Sequence, residues 1–118
     1  MLPDIKLATN YATPYRNLAP SSTGAVVVAR AADIFTMVVS NTDTKAVYVK
    51  IYDKATAATS SDTPVFTVPV NTIASIFLDF TEPWHFSNGV SIRATGAQAD
   101  NDTTAPTANT VTVNLTYK

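Results

Sequence analysis

The stretch Val47-Tyr48-Val49-Lys50-Ile51-Tyr52-Asp53-Lys54 alternates between two kinds of side chain. Its β-branched residues fall on one side of an extended backbone, whereas Tyr48, Lys50, Tyr52 and Lys54 fall on the other. Because successive side chains of a strand point to opposite faces, this period of two predicts a β-strand with one face in a core. The Tyr/Lys face is too apolar for an ordinary surface and too charged for a core, so it requires a cover.

The same period of two, or a short apolar run, recurs along most of the chain. These segments lie at 24–31, 33–41, 47–54, 64–70, 73–80, 90–93 and 111–117. No helical stripe of useful length appears between them. About seven or eight short strands at regular spacing predict an all-β fold, an antiparallel β-sandwich of the jelly-roll or immunoglobulin type. The chain has no cysteine, so the immunoglobulin Cys–Trp–Cys pattern is missing and a jelly-roll-like sandwich is favoured.

Two of the predicted strands carry details that bear on their position. In 33–41 the alternation places Phe35, Met37 and Val39 on one face and Ile34 on the other. In 64–70 the strand is interrupted by Pro69, which cannot donate to the ladder. This second strand therefore belongs at a sheet edge or a bulge.

Residues 1–23 differ from the rest, because they contain prolines and no sustained periodicity. Proline removes a donor and disfavours a long helix or a central strand. A flexible tail is one interpretation, but the apolar content favours an extended N-terminal arm laid along a neighbour, followed by a sandwich domain at 24–118. Removing residues 1–22 is thus expected to leave the sandwich folded. The predicted anchors of the arm are Leu2, Ile5, Leu7, Tyr11, Tyr15 and Leu18.

Two long segments, 55–63 and 95–109, lack large apolar side chains. The first is predicted to be an exposed, mobile loop. In the second, Asp100 and Asp102 form a D-x-D pair of the kind that can offer oxygen ligands to calcium. The segment lacks the glycine and glutamate of the helix–loop–helix calcium motif. A non-standard calcium site and a simple soluble turn both remain open, and no metal ligand is assigned.

Composition excludes several function classes. The formal net charge is −1, which provides no long-range field to attract nucleic acid or an anionic membrane. Charged residues make up 14% of the chain, against about 25% in an ordinary soluble domain. Either a covered surface or the high content of small polar residues, threonine above all, accounts for this deficit. No signal peptide and no apolar run of transmembrane length is found, so we expect synthesis in a cytoplasm without obvious export.

The chain offers little catalytic equipment. His85 is the single histidine, and Ser87 beside it lies in no nucleophile motif. Glu82 and Asp79 are too close in sequence to predict a pair of carboxylates across a cleft. Glycine-rich phosphate loops and basic–aromatic arrays are also missing. We therefore predict that the protein is not an enzyme and has no cofactor.

Three segments together resemble a known family. Residues 38–70, which include "YVKIYDKA", the run "GVSIRATGAQADNDTTA" (89–105) and the closing "NTVTVNLTYK" (109–118) resemble small virion proteins of tailed bacteriophages. The likeness is to head decoration, or cement, proteins with a jelly-roll or similar β-sandwich. It implies a structural protein on the outer surface of the head that binds the major capsid protein and its own copies, as a homo-oligomer and preferentially a trimer. The family has no catalytic residues to transfer.

The resemblance also suggests a cover for the Tyr/Lys face. Tyr48 and Tyr52 would meet a sister subunit or the shell, because tyrosine brings large contact area at low entropic cost. Lys50 and Lys54 would pair with acidic capsid side chains. The equal alternative is that a loop of the same chain lies over this face. Other functions left open are a tail, neck or baseplate protein, and a carbohydrate-binding module that stacks sugars on Trp84, Tyr48 and Tyr52.

Overall fold

The computed structural model describes residues 11–118 as eight antiparallel β-strands without a helix. Short polar turns and a few longer loops join the strands, as the period-two pattern indicates. The strands are β1 (Thr13–Asn17), β2 (Ala25–Val28), β3 (Ala32–Asn41), β4 (Val47–Tyr52), β5 (Phe66–Val70), β6 (Ala74–Phe86), β7 (Val90–Thr95) and β8 (Val111–Tyr117).

The strands form two four-stranded sheets packed face to face. The first sheet has the order β1-β8-β3-β6, and the second has the order β2-β7-β4-β5. Only β4 and β5 are neighbours both in sequence and in one sheet, so every other connection crosses between the sheets. This order is the double Greek key of a jelly roll. The predicted antiparallel sandwich is confirmed.

The core lies between the sheets and is built by the inward side chains of the alternating strands. Val47, Val49 and Ile51 of β4 are fully buried there, as their spacing predicted. The opposing sheet contributes Met37 and Val39 of β3 together with the alternate residues of β8. In all, fifteen buried apolar side chains of the described residues form this core, and they provide the hydrophobic stabilisation of the fold.

A β-bulge in β3 corrects the predicted faces of that strand. Ile34 pairs with Tyr117 and Thr36 pairs with Thr116, so Phe35 is an extra residue with no partner of its own on β8. The bulge shifts the alternation by one residue. Ile34 therefore joins Met37 in the core, whereas Phe35 stays outside the buried cluster.

The first strand of the sandwich that the structure describes, β1, lies before Gly24. Strand β1 lies within the segment that the sequence assigns to an arm, and it pairs with β8 from Thr13–Tyr117 to Asn17–Val113. Its short length and its place at the edge of the first sheet are compatible with Pro14, because an edge strand needs no complete ladder. The expectation that residues 1–22 are dispensable for the fold is therefore corrected.

The loop after β4 (55–63) is largely exposed, as predicted, but its residue Ala58 is buried and fastens it to the second sheet. Ala58 is 3% exposed, and its N–H donates to Ser91 Oγ at 2.9 Å. A Cβ at Gly24 would collide with the backbone of Ala58, so the close approach requires glycine there. Pro69 lies in β5, an edge strand, as predicted.

Candidate functional site

The Tyr/Lys face of β4 is divided among different surroundings. Lys50 and Tyr52 are 0% and 1% exposed, because other parts of the same chain cover them. Tyr48 is half-buried beside a cleft. Lys54 lies past the end of β4 and forms an ion pair of 2.7 Å with Asp62. Other parts of the same chain therefore cover Lys50 and Tyr52, which is the alternative given above. Tyr48, in contrast, faces an open cleft.

The cover over Lys50 is the segment 96–104, which we call the latch loop. Lys50 Nζ donates to the carbonyl oxygens of Ala97, at 3.2 Å, and Ala99. Arg93, the register partner of Lys50 on β7, is 1% exposed and donates to the carbonyl oxygens of Asp100 and Asp102. Two buried cations are thus solvated by the backbone of one loop.

Arg93 also joins two other parts of the chain. Its Nε donates to the carbonyl oxygen of Ser22 at 2.8 Å, and its Nη1 donates to Tyr52 Oη at 3.0 Å. The planar guanidinium has five N–H donors in a fixed fork, which suits a residue that must bind several acceptors at once. Arg93 therefore connects the segment before β2 with the latch loop across the outer face of the second sheet.

The electrostatics of this pair are governed by burial. Burial lowers the pKa of Lys50 below its ordinary value, and the neighbouring Arg93 cation lowers the pKa further. The carboxylates of Asp102 and Asp100 act in the opposite direction. A cation in such a place is stabilised chiefly by its hydrogen bonds to the loop carbonyls.

Asp102 stabilises the latch loop itself. Its Oδ2 accepts hydrogen bonds from the N–H of Ala97, the N–H of Thr104 and the Thr104 hydroxyl. The Thr104 hydroxyl is the main reason that the pKa of Asp102 lies below its usual value. Within residues 11–118 no group of three acidic or histidine side chains is arranged to hold a metal ion. Of the D-x-D pair, the Asp102 carboxylate closes the latch loop, and the backbone carbonyls of both aspartates face Arg93.

A cleft opens where the latch loop meets the exposed side of β4 and β5. It has a volume of about 330 Å³ and is lined by Tyr48, Thr67, Pro69, Gln98 and Asp100. Tyr48 and Pro69 are register partners, and Thr67 lies two residues from Pro69 on the same face. Strands supply one wall and the anchored loop supplies the other, so we call this feature the Tyr48 cleft.

The predicted arm anchors that the structure describes lie in different surroundings. Leu2, Ile5 and Leu7 lie outside the described residues. Tyr15 packs against the core from β1, whereas Tyr11 and Leu18 are exposed.

A second surface follows strand β6 along the open edge between the sheets. Apolar side chains from β5 and β6 line a groove of about 340 Å³ there. Trp84 contacts Phe66 edge to face, at 4.1 Å between centroids, and stacks on Phe80 at 4.8 Å. On the other side of the same strand Phe77 is 63% exposed, and Ile73 just before the strand is 73% exposed. We call this combination of groove and exposed side chains the β6 edge.

His85 contacts a carboxylate, but among the described residues it forms no hydrogen bond with a nucleophilic side chain. Its Nδ1 lies 2.7 Å from Asp33 Oδ1 on the exposed face of the first sheet. The N–H of Ser87 donates to Asp53, and no hydrogen bond joins the Ser87 hydroxyl to His85 among the described residues. The pair therefore supports no assignment of acyl-transfer chemistry.

The sequence analysis missed Arg93 and the aromatic cluster of the β6 edge. Arg93 could have been found from its alternation with buried Ile92, which puts it on the outer face beside Lys50. Phe66 and Trp84 come from separate sheets, so no local pattern links them.

Comparisons with known proteins return no relative. No family model, no curated protein and no solved structure matches the chain. In the part of the chain that the structure describes there is no helix that could span a membrane.

Proposed function

We propose that this protein is a structural, non-enzymatic component of a bacteriophage particle, a decoration protein that binds the major capsid protein and its own copies on the outer surface of the head. The proposal rests on the resemblance of residues 38–118 to cement proteins, and the β6 edge is the structural observation that carries it. A tail, neck or baseplate protein with the same jelly roll is the structural alternative, and the experiment below separates a head position from a tail position.

The β6 edge has the properties of a protein-binding surface. Strand β6 spans thirteen residues, and among residues 11–118 no strand lies beside one side of its backbone. A long edge strand with exposed apolar side chains associates with other chains unless it is protected. Phe77 and Ile73 on one side, and the Phe66–Trp84 groove on the other, place an aromatic anchor on each flank of this strand. Buried aromatic anchors are the residues that dominate binding energy at interfaces.

The outer face of the first sheet supports the same proposal. Its outward side chains are partly or fully exposed, whereas those of Lys50, Ser91, Arg93 and Thr95 on the second sheet are buried. Across its centre the exposed face consists of threonine, serine, asparagine and valine side chains of β3 and β8. Low charge at the centre of a surface is a property of protein interfaces.

We further propose that the protein acts as a homo-oligomer, with a trimer as the preferred count. A closed cyclic assembly presents several identical contacts to a capsid lattice at once, and linked contacts raise avidity without strong individual ones. The β6 edge is the surface we assign to these contacts.

The test is co-sedimentation of the purified protein with undecorated phage heads, using Phe77→Ser as the variant. Phe77 is largely exposed, so the change should leave the fold intact while it weakens binding at least tenfold. Val26→Ser is the matched control, because Val26 is an exposed apolar residue of the second sheet, 38% accessible. Binding to tails and not to heads would replace the decoration role with a tail role. Equal binding by wild type and Phe77→Ser would remove the β6 edge from the proposal.

A further inference from the structure

Within residues 11–118, the Tyr48 cleft differs from the rest of the second sheet because its polar side chains form no intramolecular hydrogen bond. Nearby, the buried groups are all engaged: Lys50 and Arg93 with the latch loop, Tyr52 with Arg93, and Thr95 with Ala97. Among the described residues, no intramolecular hydrogen bond is formed by the phenol of Tyr48 or the side chains of Thr67, Gln98 and Asp100. The cleft therefore presents a hydroxyl, an amide, a carboxylate and a phenol to a ligand.

The walls of this cleft are held in place. Tyr48 and Thr67 project from paired strands β4 and β5. Gln98 lies between Ala97 and Ala99, whose carbonyls bind Lys50, and the carbonyl of Asp100 accepts from Arg93. Binding groups on supported elements lose little freedom when a ligand arrives. The buried cations thus pre-organise a loop whose side chains face the cleft.

The chemistry of the lining selects the class of ligand. Asp100 is an acceptor with negative charge, and the five lining residues include no cation, so the lining offers no ion-pair partner to phosphate, sulfate or an anionic sugar. A volume of about 330 Å³ is at the lower end of the range for small-molecule sites, which suits one or two sugar rings, whereas a single lysine side chain would leave most of it empty. Sugar rings combine C–H faces, which pack on Tyr48 and Pro69, with hydroxyls that both donate and accept.

We propose that the Tyr48 cleft is a binding site for a neutral saccharide, stacked on Tyr48 and hydrogen-bonded to Asp100, Gln98 and Thr67. The site adjoins the groove of the β6 edge and shares Thr67 and Pro69 of β5 with it, but it includes neither Phe77 nor Ile73, the side chains used to test assembly. Saccharide binding does not depend on that function, and either proposal can fail alone.

The experiment is a titration of the full chain, in solution, with a panel of neutral mono- and disaccharides at millimolar concentrations, followed by backbone NMR shifts. We expect at least one sugar to shift the resonances of Tyr48 and of residues 97–101 together. Asp100→Asn should weaken that binding about tenfold, because it replaces a charged acceptor. Asp79→Asn, an exposed carboxylate of the first sheet, is the matched control and should bind as wild type does.

Two further variants keep the test independent of folding defects. Tyr48→Phe keeps the ring and should retain most of the affinity, whereas Tyr48→Ala should abolish it. If no sugar of the panel shifts the cleft, or if Asp100→Asn and Asp79→Asn behave alike, the proposal is overturned. Binding of a lysine-rich peptide at the cleft with no response to sugars would also overturn it, in favour of a protein partner.

Discussion

Lys50 and Arg93 lie directly opposite each other on β4 and β7, and both cations are buried. Like charges in register on one sheet face repel each other. The latch loop offsets that repulsion, because its backbone supplies four carbonyl oxygens to the two side chains, at Ala97, Ala99, Asp100 and Asp102. The fold of the loop and the charge of the sheet are therefore coupled.

This coupling predicts an unequal effect of removing the two cations. Arg93→Met should lower the free energy of unfolding by about 3 kcal/mol, because Tyr52 and three carbonyl oxygens, one before β2 and two in the latch loop, lose their donor. Lys50→Met should lower it by less, since it also removes a desolvated charge and its repulsion with Arg93. Urea unfolding of both variants measures the difference. Arg16→Met, at an exposed cation of β1, should change stability by no more than about 0.5 kcal/mol. A larger loss for Lys50→Met than for Arg93→Met would contradict this account.

Acid should destabilise the protein in part through Asp53. Burial acts to raise the pKa of Asp53, but the N–H groups of Asn88, Gly89 and Ser87 outweigh it, so its pKa in the folded state lies below the ordinary value. Its contribution is therefore fully present above the unfolded-state pKa of about 3.9, and is lost as pH falls through the folded-state value. Unfolding free energies of wild type and Asp53→Asn should differ most near neutral pH and converge below about pH 4. A gap that does not change with pH would contradict the assignment.

Ile73 should be replaceable with a gain in stability. Its φ of 49° lies in the left-handed region, which a β-branched residue adopts only under strain. The neighbouring contacts hold it there: its N–H donates to the carbonyl of Asp43 at 3.2 Å, and so does the Thr72 hydroxyl at 2.8 Å. Ile73→Asn should raise the free energy of unfolding by about 1 kcal/mol, because asparagine tolerates this conformation and little apolar surface is lost.

The same variant should weaken association, since it removes an exposed apolar side chain of the β6 edge. Thermal unfolding and head co-sedimentation of one preparation measure both effects. Ile73→Val is the control that keeps both the strain and the apolar surface. A variant that binds heads as wild type does would show that Ile73 is outside the interface.

Truncations should separate the segment before β1 from the sandwich. Deleting residues 2–10 removes no described strand, and the unfolding midpoint should stay close to that of the full chain. Deleting residues 2–22 removes β1 and the carbonyl of Ser22 that binds Arg93, and also the carbonyl of Ser21 that accepts from Ala94. That protein should be strongly destabilised or unfolded by circular dichroism. Equal midpoints for the two truncations would show that β1 contributes nothing to the fold.

The fold class could be predicted from the sequence because successive side chains of a strand point to opposite faces, and this alternation dominates the sequence. Val47, Val49 and Ile51 had to be buried together in an extended chain, and Pro69 had to avoid a central strand. The bulge at Phe35 escaped prediction, because a single extra residue leaves the local composition unchanged while it reverses the faces beyond it.

The candidate site was predictable only in part. The alternation showed that Tyr48, Lys50 and Tyr52 share a face, but a period of two says nothing about what lies over that face. Its cover, the latch loop, follows β7 about fifty residues later and is linked to β4 through backbone carbonyls. Carbonyl groups are common to all residues, so they leave no signature in the sequence.

The pairing of β1 with β8 has a practical consequence for handling this protein. Thr13 lies opposite Tyr117, so the start of the first described strand and the end of the last lie side by side. A short glycine–serine tether from Lys118 to Tyr11 should therefore allow circular permutation, with new ends opened at the exposed turn around Ser60 and Ser61. Such a permuted chain would carry a fused cargo at the turn between β4 and β5 while both sheets keep their strand order.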